Sequence, residues 1–187
     1  MGRFLRKLAG LADLREDVAS WLRLRRWSWF GKLLPHRVPV EQAEDAFRLN
    51  GGLSVLVVDD NPSHLKMASE ALEGCGISAL LASDGEEAVL LACQRQFSII
   101  LMDLQMPVMD GLKATSMIRQ FEGTSSRPRT PVVAYSTARV SAILLTANGL
   151  DDRLNKPCSA AELEACLLRW CSGFQPWAAA GATHVQP

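Results

Sequence analysis

The sequence of 187 residues predicts an α/β protein built on a doubly wound sheet of five parallel strands. From residue 54 to about residue 171, short apolar runs alternate with longer stretches in which apolar residues recur at helical spacing. The short runs are apolar at nearly every position, which is typical of strands covered by helices on both faces. Strands that alternate with helices in this way pair in parallel through right-handed crossovers.

Five segments are predicted as strands, and they are 54–58, 77–82, 99–102, 131–136 and 153–155. The first four are strongly apolar, and loops containing Gly, Pro, Ser or Asp separate them from the helices. The fifth is short and follows a break at Asn148 and Gly149.

Residues typical of helix N-termini indicate where the helices begin. Asn61 and Pro62 start the first helix, because Asn caps helices and Pro is tolerated in the first turn. This helix is predicted to end at Gly74 or Gly76. Its predicted buried stripe consists of Leu65, Met67, Ala68, Ala71 and Leu72.

Two further helices begin at segments with the spacing of a capping box, in which Ser or Thr is followed three residues later by Glu. Ser83 and Glu86 have this spacing before the second helix, and Ser159 and Glu162 have it before the last one. The remaining predicted segments are a helix over 112–121, a surface loop over 122–130 and a helix over 140–147.

Composition and charge bound the class of protein. Twenty basic and twenty acidic residues cancel, so no overall field attracts the chain to nucleic acid. Apolar residues make up 48% of the chain, which is enough for a core, but no apolar run reaches the roughly 18 residues of a membrane span. The five cysteines include no Cys-x-x-Cys pair. We therefore expect reduced thiols in a cytoplasmic protein, rather than disulfides or a zinc site.

The two ends of the chain differ from the α/β segment. Residues 1–50 are predicted to form a basic amphipathic helical extension and linker, and residues 172–187 a disordered tail. Residues 1–40 contain nine Lys or Arg against three acidic residues. Two alternatives stay open for residues 1–40: docking onto protein, including a second copy of the chain, and lying on the anionic inner membrane surface. Nucleic acid is not expected as a partner, because no helix-turn-helix pattern follows.

Charged side chains stand where three of the predicted strands end. Asp59 and Asp60 follow the first strand, whereas Asp103 follows the third and Lys156 the fifth. Ligands bind at the carboxyl ends of strands in open α/β sheets, so the fold would bring these groups together. Crowding three carboxylates either raises their pKa values or demands a cation, and carboxylate oxygens suit Mg²⁺. With Mg²⁺ bound, one carboxylate is a suitable nucleophile for phosphorus, and Lys156 and the Ser136 hydroxyl would contact the phosphoryl oxygens.

These residues form a pattern that resembles the receiver domain of bacterial two-component response regulators, typified by the chemotaxis response regulator. The matching positions are Asp59-Asp60, the stretch 102–111 (Met-Asp-Leu-Gln-Met-Pro-Val-Met-Asp-Gly), Ser136 and Lys156-Pro157. The resemblance covers residues 53–171, and its motifs are jointly specific. It implies the flavodoxin-like strand order 2-1-3-4-5.

The resemblance also implies a role for each matching residue. Asp103 is expected to be the phosphoacceptor, with Ser136 as the switch hydroxyl and Lys156 as the phosphate-binding lysine. The implied Mg²⁺ ligands are Asp60, Asp59 (mainly through water), Asp103 and the backbone carbonyl of Gln105. A histidine kinase or a histidine phosphotransfer protein is expected to donate the phosphoryl group. The chain is therefore expected to be a phosphorelay receiver that signals by protein contact, not an enzyme, with slow self-dephosphorylation allowed.

Two residues depart from the family pattern. Arg153 stands where the family commonly has an aromatic residue that rotates inward after phosphorylation, and Thr137 follows Ser136 where Ala or Gly is usual. The segment between Ser136 and Gly149 is also short and unusually apolar. These departures motivate a second hypothesis, in which the chain is a receiver-fold scaffold that binds partners without switching. The chain is also compatible with the receiver end of a hybrid sensor kinase.

Overall fold

The predicted alternation of strands and helices is confirmed in the computed structural model, which describes residues 53–137 and 140–174. Its elements are β1 (Val55–Val58), α1 (Pro62–Gly74), β2 (Ala79–Ala82), α2 (Gly85–Gln94), β3 (Ile99–Met102), α3 (Gly111–Ser125), β4 (Val132–Ser136), α4 (Ala142–Ala147), β5 (Asp152–Asn155) and α5 (Ala160–Trp170). The predicted extension over residues 1–50 lies outside the described residues, as do residues 175–187 of the predicted tail. Phe174 is buried, so the packed structure continues past the predicted boundary at residue 171.

The five strands form one parallel sheet in the order β2-β1-β3-β4-β5, as predicted. Val58 at the end of β1 is paired with Ala82 at the end of β2 and with Met102 at the end of β3. Ser136 at the end of β4 is paired with Asn155 at the end of β5. Because the strands end in register, the residues that follow them lie along one edge of the sheet, where α/β proteins bind ligands.

Two apolar cores cover the two faces of the sheet. One core contains Leu56 and Val58 of β1 and lies under α2 and α3, with Leu145 of α4 at its margin. The other contains Val55 and Val57 and lies under α1 and α5. Successive side chains of β1 thus enter opposite cores, which is why this strand is apolar at every position.

The predicted buried stripe of α1 is correct in part. Ala68 and Leu72 are buried and Leu65 and Ala71 pack against the core, but Met67 is 55% exposed. Neighbouring residues of a helix point about 100° apart, so Met67 turns away from the face that Ala68 presents to the sheet. The prediction for Met67 is therefore wrong.

The cap of α2 is shifted by one residue from the prediction. Asp84, not Ser83, is the N-cap, and its carboxylate accepts a hydrogen bond from the amide of Glu87 (2.8 Å). Glu87, not Glu86, reaches back to the amide of Ser83 (2.8 Å). The assignment from Ser83 and Glu86 is wrong because Asp caps a helix as well as Ser does. The capping box predicted for the last helix is confirmed at the start of α5.

Helix α3 is longer than predicted and ends at Ser125, so part of the predicted loop over 122–130 is helical. The buried carboxylate of Glu122 explains the difference. It accepts hydrogen bonds from Nη1 of Arg119 (2.6 Å) and from the backbone amide of Thr130 (2.8 Å). Arg119 lies within α3 and Thr130 follows it, so the charged carboxylate of Glu122 can be buried because both of its oxygens accept hydrogen bonds.

The strands keep their predicted places: all five end at the predicted residue, and their first residues differ from the prediction by at most two. The largest difference is at β2, which begins at Ala79 because the amide of Ile77 donates instead to the Leu72 carbonyl at the end of α1 (2.9 Å). Among the residues that the structure describes, no helix is both long enough and apolar enough to cross a membrane.

Candidate functional site

Asp59 is fully buried at the end of β1, and both of its carboxylate oxygens have partners. Oδ1 accepts a hydrogen bond from the backbone amide of Asn61 (2.9 Å) and lies 3.2 Å from Nδ1 of His64. Oδ2 accepts a hydrogen bond from Nζ of Lys156. The Asn61 side chain caps α1 through the amide of Ser63, so one short turn both starts the helix and holds the carboxylate.

Asp103 stands at the end of β3, the strand beside β1. Its backbone amide donates to the carbonyl of Val58 (2.9 Å), which continues the pairing of the two strands. Its Oδ1 accepts a hydrogen bond from the amide of Gln105 (3.2 Å), and its Oδ2 accepts one from Nζ of Lys156 (2.7 Å). Asp103 is 8% exposed, so its carboxylate keeps a narrow opening to solvent.

Lys156 joins the two carboxylates from positions 97 and 53 residues away in the sequence. Its side chain is only 5% exposed. The backbone amide of Lys156 donates to the Ser136 carbonyl (3.2 Å), which extends the pairing of β5 with β4 beyond the end of β5. The peptide bond to Pro157 is cis. The strand pairing therefore carries this ammonium to the edge of the sheet where Asp59 and Asp103 lie.

The charges of this cluster suit a cation. Two carboxylates share one ammonium, so buried negative charge remains. Asp59, His64 and Asp103 each offer one ligand atom, and these atoms lie within 4.8 Å of one another. Carboxylate oxygens are the hard ligands that Mg²⁺ prefers, whereas imidazole nitrogen suits transition metals. The two carboxylates thus fit Mg²⁺, and His64 contributes through its contact with Asp59.

Asp60 and Gln105 lie beside the cluster. Asp60 is exposed and is not one of the ligand groups that converge in the described part of the chain. The backbone amide of Gln105 donates a hydrogen bond to Asp103. This hydrogen bond does not involve the Gln105 carbonyl, so it does not test the predicted role of that carbonyl as a metal ligand. The metal-binding roles of Asp60 and Gln105 stay predictions.

Ser136 is buried at the end of β4 and lines a small cleft together with Val140, Leu145 and Arg153. The cleft lies on the face of the sheet that α4 partly covers, since Leu145 is the buried residue of that helix. A guanidinium nitrogen of Arg153 is 3.5 Å from the Val140 carbonyl. Arg153 thus lines the same cleft as Ser136, from the position where the family pattern has an aromatic ring.

Two residues of the site were not identified from the sequence. His64 lies five residues after Asp59, within the first turns of α1, and this spacing could have indicated the contact. Tyr135 precedes Ser136 on β4, and its ring lies under Nζ of Lys156 at 5.0 Å from the ring centroid. Burial raises the pKa of the Tyr135 phenol, as do the hydrogen bond with Cys158 and the negative charge of Asp59. No pattern in the sequence distinguishes Tyr135 from an ordinary core residue.

Comparison with known proteins gives a family and several relatives. The family model described as response regulator receiver domain matches residues 55–168. The sensor protein GacS of Pseudomonas syringae pv. syringae is 39% identical to this chain over 119 residues, which are 62% of this chain and 13% of GacS. The chain thus matches only a small part of this relative's length.

Two solved structures are similar to the described part of the chain. The receiver domain of the sensor histidine kinase PA1611 from Pseudomonas aeruginosa PAO1, which has a magnesium ion in its active site cleft, is 33% identical with a TM-score of 0.57. The match covers 63% of this chain and 96% of that one. The co-crystal structure of the Saccharomyces cerevisiae phosphotransfer protein Ypd1 with the receiver domain of Ssk1 gives 30% identity and a TM-score of 0.59, covering 64% and 88%.

Proposed function

The chain belongs to the response regulator receiver domain family, and on this premise we propose that Asp103 is the phosphoacceptor of a two-component phosphorelay. The observation that carries the proposal is the contact of one buried ammonium, Nζ of Lys156, with the carboxylates of both Asp103 and Asp59. Asp59 is completely buried, whereas Asp103 keeps some exposure. Of the two, Asp103 is thus the carboxylate that a phosphoryl donor can reach.

In the proposed reaction, a carboxylate oxygen of Asp103 attacks the phosphorus of a phosphohistidine. The new O–P bond forms as the N–P bond breaks, and the electron pair of that bond returns to the imidazole, which then takes a proton. Lys156 neutralises negative charge on the phosphoryl oxygens. Transfer of this kind depends on positioning and on charge stabilisation, which the hydrogen-bonded cluster supplies before the donor arrives.

We propose a magnesium site at Asp59 and Asp103, with Asp60 and the backbone carbonyl of Gln105 as further ligands. When bound, the ion offsets the charge of the transferred phosphoryl group. The chemistry of the donor atoms supports this assignment, as does the magnesium ion of the similar PA1611 receiver. The amide of Asn61 and the ammonium of Lys156 hold the Asp59 carboxylate in a defined orientation.

Ser136 is proposed to respond to the phosphoryl group through its hydroxyl. Phosphorylation adds roughly −1.5 to −2 units of charge, and a shift in populations follows if the two states contact the group differently. The segment after Ser136, including α4, is suited to such a shift. Within α4 only Leu145 is buried, and elements with few buried contacts open at low free energy.

The phosphoryl donor is proposed to be a histidine kinase or a histidine phosphotransfer protein. The co-crystal of Ypd1 with the similar Ssk1 receiver supports the second kind of donor, and the match to part of the sensor protein GacS supports a place in a longer kinase chain. The chain is proposed to act as a signalling domain rather than as an enzyme that turns over a substrate. Its five cysteines are free, which suits the reducing cytoplasm.

Phosphorylation by acetyl phosphate tests the proposal directly. Intact mass spectrometry with Mg²⁺ present should show one labile phosphoryl adduct on the wild type and none on Asp103→Asn. Asp110→Asn is the matched control, because Asp110 lies in the same loop but caps α3, and Asn caps equally well. It should be phosphorylated like the wild type.

Two results would count against the proposal. An adduct that persists in Asp103→Asn would place the phosphoryl group elsewhere. No adduct on folded wild type, either from acetyl phosphate or from a phosphorylated phosphotransfer protein, would leave the non-switching scaffold as the better description. Partner affinity that is the same for phosphorylated and unphosphorylated protein would favour the scaffold too, because phosphorylation would then change no partner contact. Arg153, which lines the same cleft as Ser136, motivates this alternative.

Residues 1–40 are proposed to make a second contact because they carry nine basic residues and only three acidic ones. Flotation with anionic vesicles and light scattering, each on the full chain and on a chain lacking residues 1–40, separates the two candidate partners. Loss of vesicle binding on deletion indicates a membrane surface, and loss of a dimer indicates a second copy. If neither measurement changes on deletion, neither partner is supported.

A further inference from the structure

Tyr135 is the single tyrosine of the chain. It lies on β4 between Ala134 and Ser136, and it is paired in the sheet with Leu154 of β5. Side chains alternate along a strand, so Tyr135 enters the core under α1 and α5, whereas Ala134 enters the opposite core. A residue that looks like ordinary core therefore lies directly below the carboxyl edge of the sheet.

The ring of Tyr135 faces the ammonium of Lys156, with Nζ 5.0 Å from the ring centroid. A cation within about 6 Å of an aromatic face is attracted by the ring quadrupole, and the attraction is larger where water is excluded. Water is largely excluded here, because the Lys156 side chain is 5% exposed and Tyr135 is also buried. The ammonium is thus held by two carboxylates and by one ring.

The Tyr135 hydroxyl makes a second contact with the same loop. Sγ of Cys158 lies 3.7 Å from the phenol oxygen, at a distance suited to a thiol that donates a weak hydrogen bond. Lys156 and Cys158 flank Pro157, so one side chain of β4 contacts the loop on both sides of this proline. The ring contacts the charge, whereas the hydroxyl contacts the loop that carries it.

The ring differs from the carboxylates in one respect that matters for phosphoryl transfer. The contact of Lys156 with Asp103 involves the carboxylate that the proposed reaction modifies, and its contact with Asp59 involves a proposed metal ligand. The ring of Tyr135 takes part in neither event. The lysine side chain is flexible and ends in a single charged group. A contact with the ring that is kept during phosphoryl transfer would therefore restrict the positions that the Lys156 ammonium can take.

We propose that Tyr135 is a positioning residue that holds the Lys156 ammonium where it binds the phosphoryl group. This role rests on the proposed function of Asp103 and Lys156. In this proposal the aromatic ring positions the ammonium, and the Tyr135 hydroxyl contributes only through its contact with Cys158.

Beryllofluoride, a stable mimic of a phosphoryl group, tests the role by titration calorimetry on the full chain in saturating Mg²⁺. Tyr135→Leu should weaken beryllofluoride binding by roughly 3- to 10-fold, the range that a cation–ring contact supplies. Tyr135→Phe keeps the ring and should stay within roughly 2-fold of the wild type. The affinity for Mg²⁺ alone should change less than the beryllofluoride affinity, because Tyr135 contacts no proposed metal ligand atom and Lys156 keeps Asp59 and Asp103 as partners in all three proteins.

A double-mutant cycle separates positioning from a general loss of packing. In the Lys156→Gln background, Tyr135→Leu should have no further effect on beryllofluoride affinity. An equal effect in both backgrounds would overturn the proposal, and so would a Tyr135→Phe variant as weak as Tyr135→Leu. If the wild type itself does not bind beryllofluoride, the proposed function fails and this role fails with it. If the wild type binds and Tyr135→Leu binds equally well, only the positioning role fails.

A measurement on the wild type needs no disruptive variant. The ε-methylene protons of Lys156, assigned by their disappearance in Lys156→Gln, should be shifted upfield in the proton spectrum, because the Nζ atom bonded to that methylene lies over the face of the ring. Tyr135→Phe should keep that shift. Lys156 signals at ordinary lysine positions in the wild type would overturn the contact itself.

Discussion

Gly111 lies so close to Asp103 that a Cβ atom at residue 111 would stand 1.9 Å from the Asp103 carbonyl oxygen. Gly111 opens α3, whose N-cap is Asp110, and its amide is 3.3 Å from the Leu104 carbonyl. The loop after β3 therefore folds back onto the backbone of the proposed phosphoacceptor. A side chain at residue 111 would push this loop away from the site.

Gly111→Ala should destabilise the protein by about 3 kcal/mol, because the nearest atom that the new methyl group meets, the Asp103 carbonyl oxygen, is a backbone atom that cannot rotate aside. Phosphorylation by acetyl phosphate should slow as well, since the displaced backbone is that of Asp103. Urea unfolding and the rate of adduct formation measure the two effects.

Gly123→Ala is the control. A Cβ at Gly123 meets nothing within 4 Å, so this change inside α3 should stabilise by about 0.5–1 kcal/mol. Similar stability of both variants would contradict the close approach.

Lys156→Gln should cost about 3 kcal/mol of unfolding free energy without metal, because it leaves two buried carboxylates without their shared ammonium. Addition of Mg²⁺ should stabilise this variant more than it stabilises the wild type, since the ion then supplies the missing positive charge. Urea unfolding in EDTA and in excess Mg²⁺ gives the four free energies required. An equal Mg²⁺ effect on both proteins would show that Lys156 and the ion do not compensate for the same charge.

Arg119→Met should destabilise the protein by about 3 kcal/mol. The guanidinium donates to Glu122 (2.6 Å), to Asp151 (2.8 Å) and to the Gly149 carbonyl (2.8 Å), and its side chain is 13% exposed. Its removal takes a largely buried cation from the carboxylates of Glu122 and Asp151. Glu122 keeps the Thr130 amide and Asp151 keeps Arg129, but loss of a buried charge partner still costs far more than loss of a surface ion pair.

Arg129→Met tests that difference in burial. Arg129 contacts Asp151 (2.7 Å) and the same Gly149 carbonyl (2.9 Å), but its side chain is 54% exposed. We expect a loss below about 1 kcal/mol. Chemical unfolding of the two variants measures the loss of unfolding free energy in each. Equal losses would mean that the exposure of the arginine does not control how much its ion pair contributes to stability.

Asp152 should contribute to stability in a pH-dependent way. Burial by itself would raise the pKa of Asp152, but hydrogen bonds from the Trp170 indole and the Arg153 amide, together with the charge of Arg169, hold the pKa below its ordinary value of 3.8. A carboxyl whose folded pKa is depressed stabilises the protein above its unfolded pKa. That stabilisation is lost as the pH falls through the lower folded value.

The difference in unfolding free energy between the wild type and Asp152→Asn should thus be largest near neutral pH and should shrink as the pH falls below 3.8. Trp170→Phe removes one donor, the indole N–H at 2.9 Å, and should give a smaller change of the same sign in the pH dependence. Thermal unfolding across the acid range measures both. A difference that stays constant with pH would exclude the ionised Asp152 carboxylate as its source.

Much of the fold could be predicted because the signals are local. The residues of β1 and β3 are apolar at every position. Asn61 caps α1 and Ser159 caps α5. A short stretch of sequence is therefore enough to predict each of these elements. The errors also have local causes. Met67 satisfied a helical spacing but lies off the buried face, and Asp84 competed with Ser83 for the same cap. Two equally good local solutions cannot be ranked without the packing around them.

The sequence by itself determined that charged groups follow the ends of the apolar strands. The order of residues shows this directly, because each charged residue follows an apolar run. The family motifs made Asp59, Asp103 and Lys156 recognisable before any contact was known. Only the tertiary structure decided that Nζ of Lys156 binds both carboxylates and that Tyr135 lies beneath it. The physical reason is that such contacts depend on strand order, register and side-chain direction. Those are set by the packing of the whole sheet rather than by neighbours in the chain.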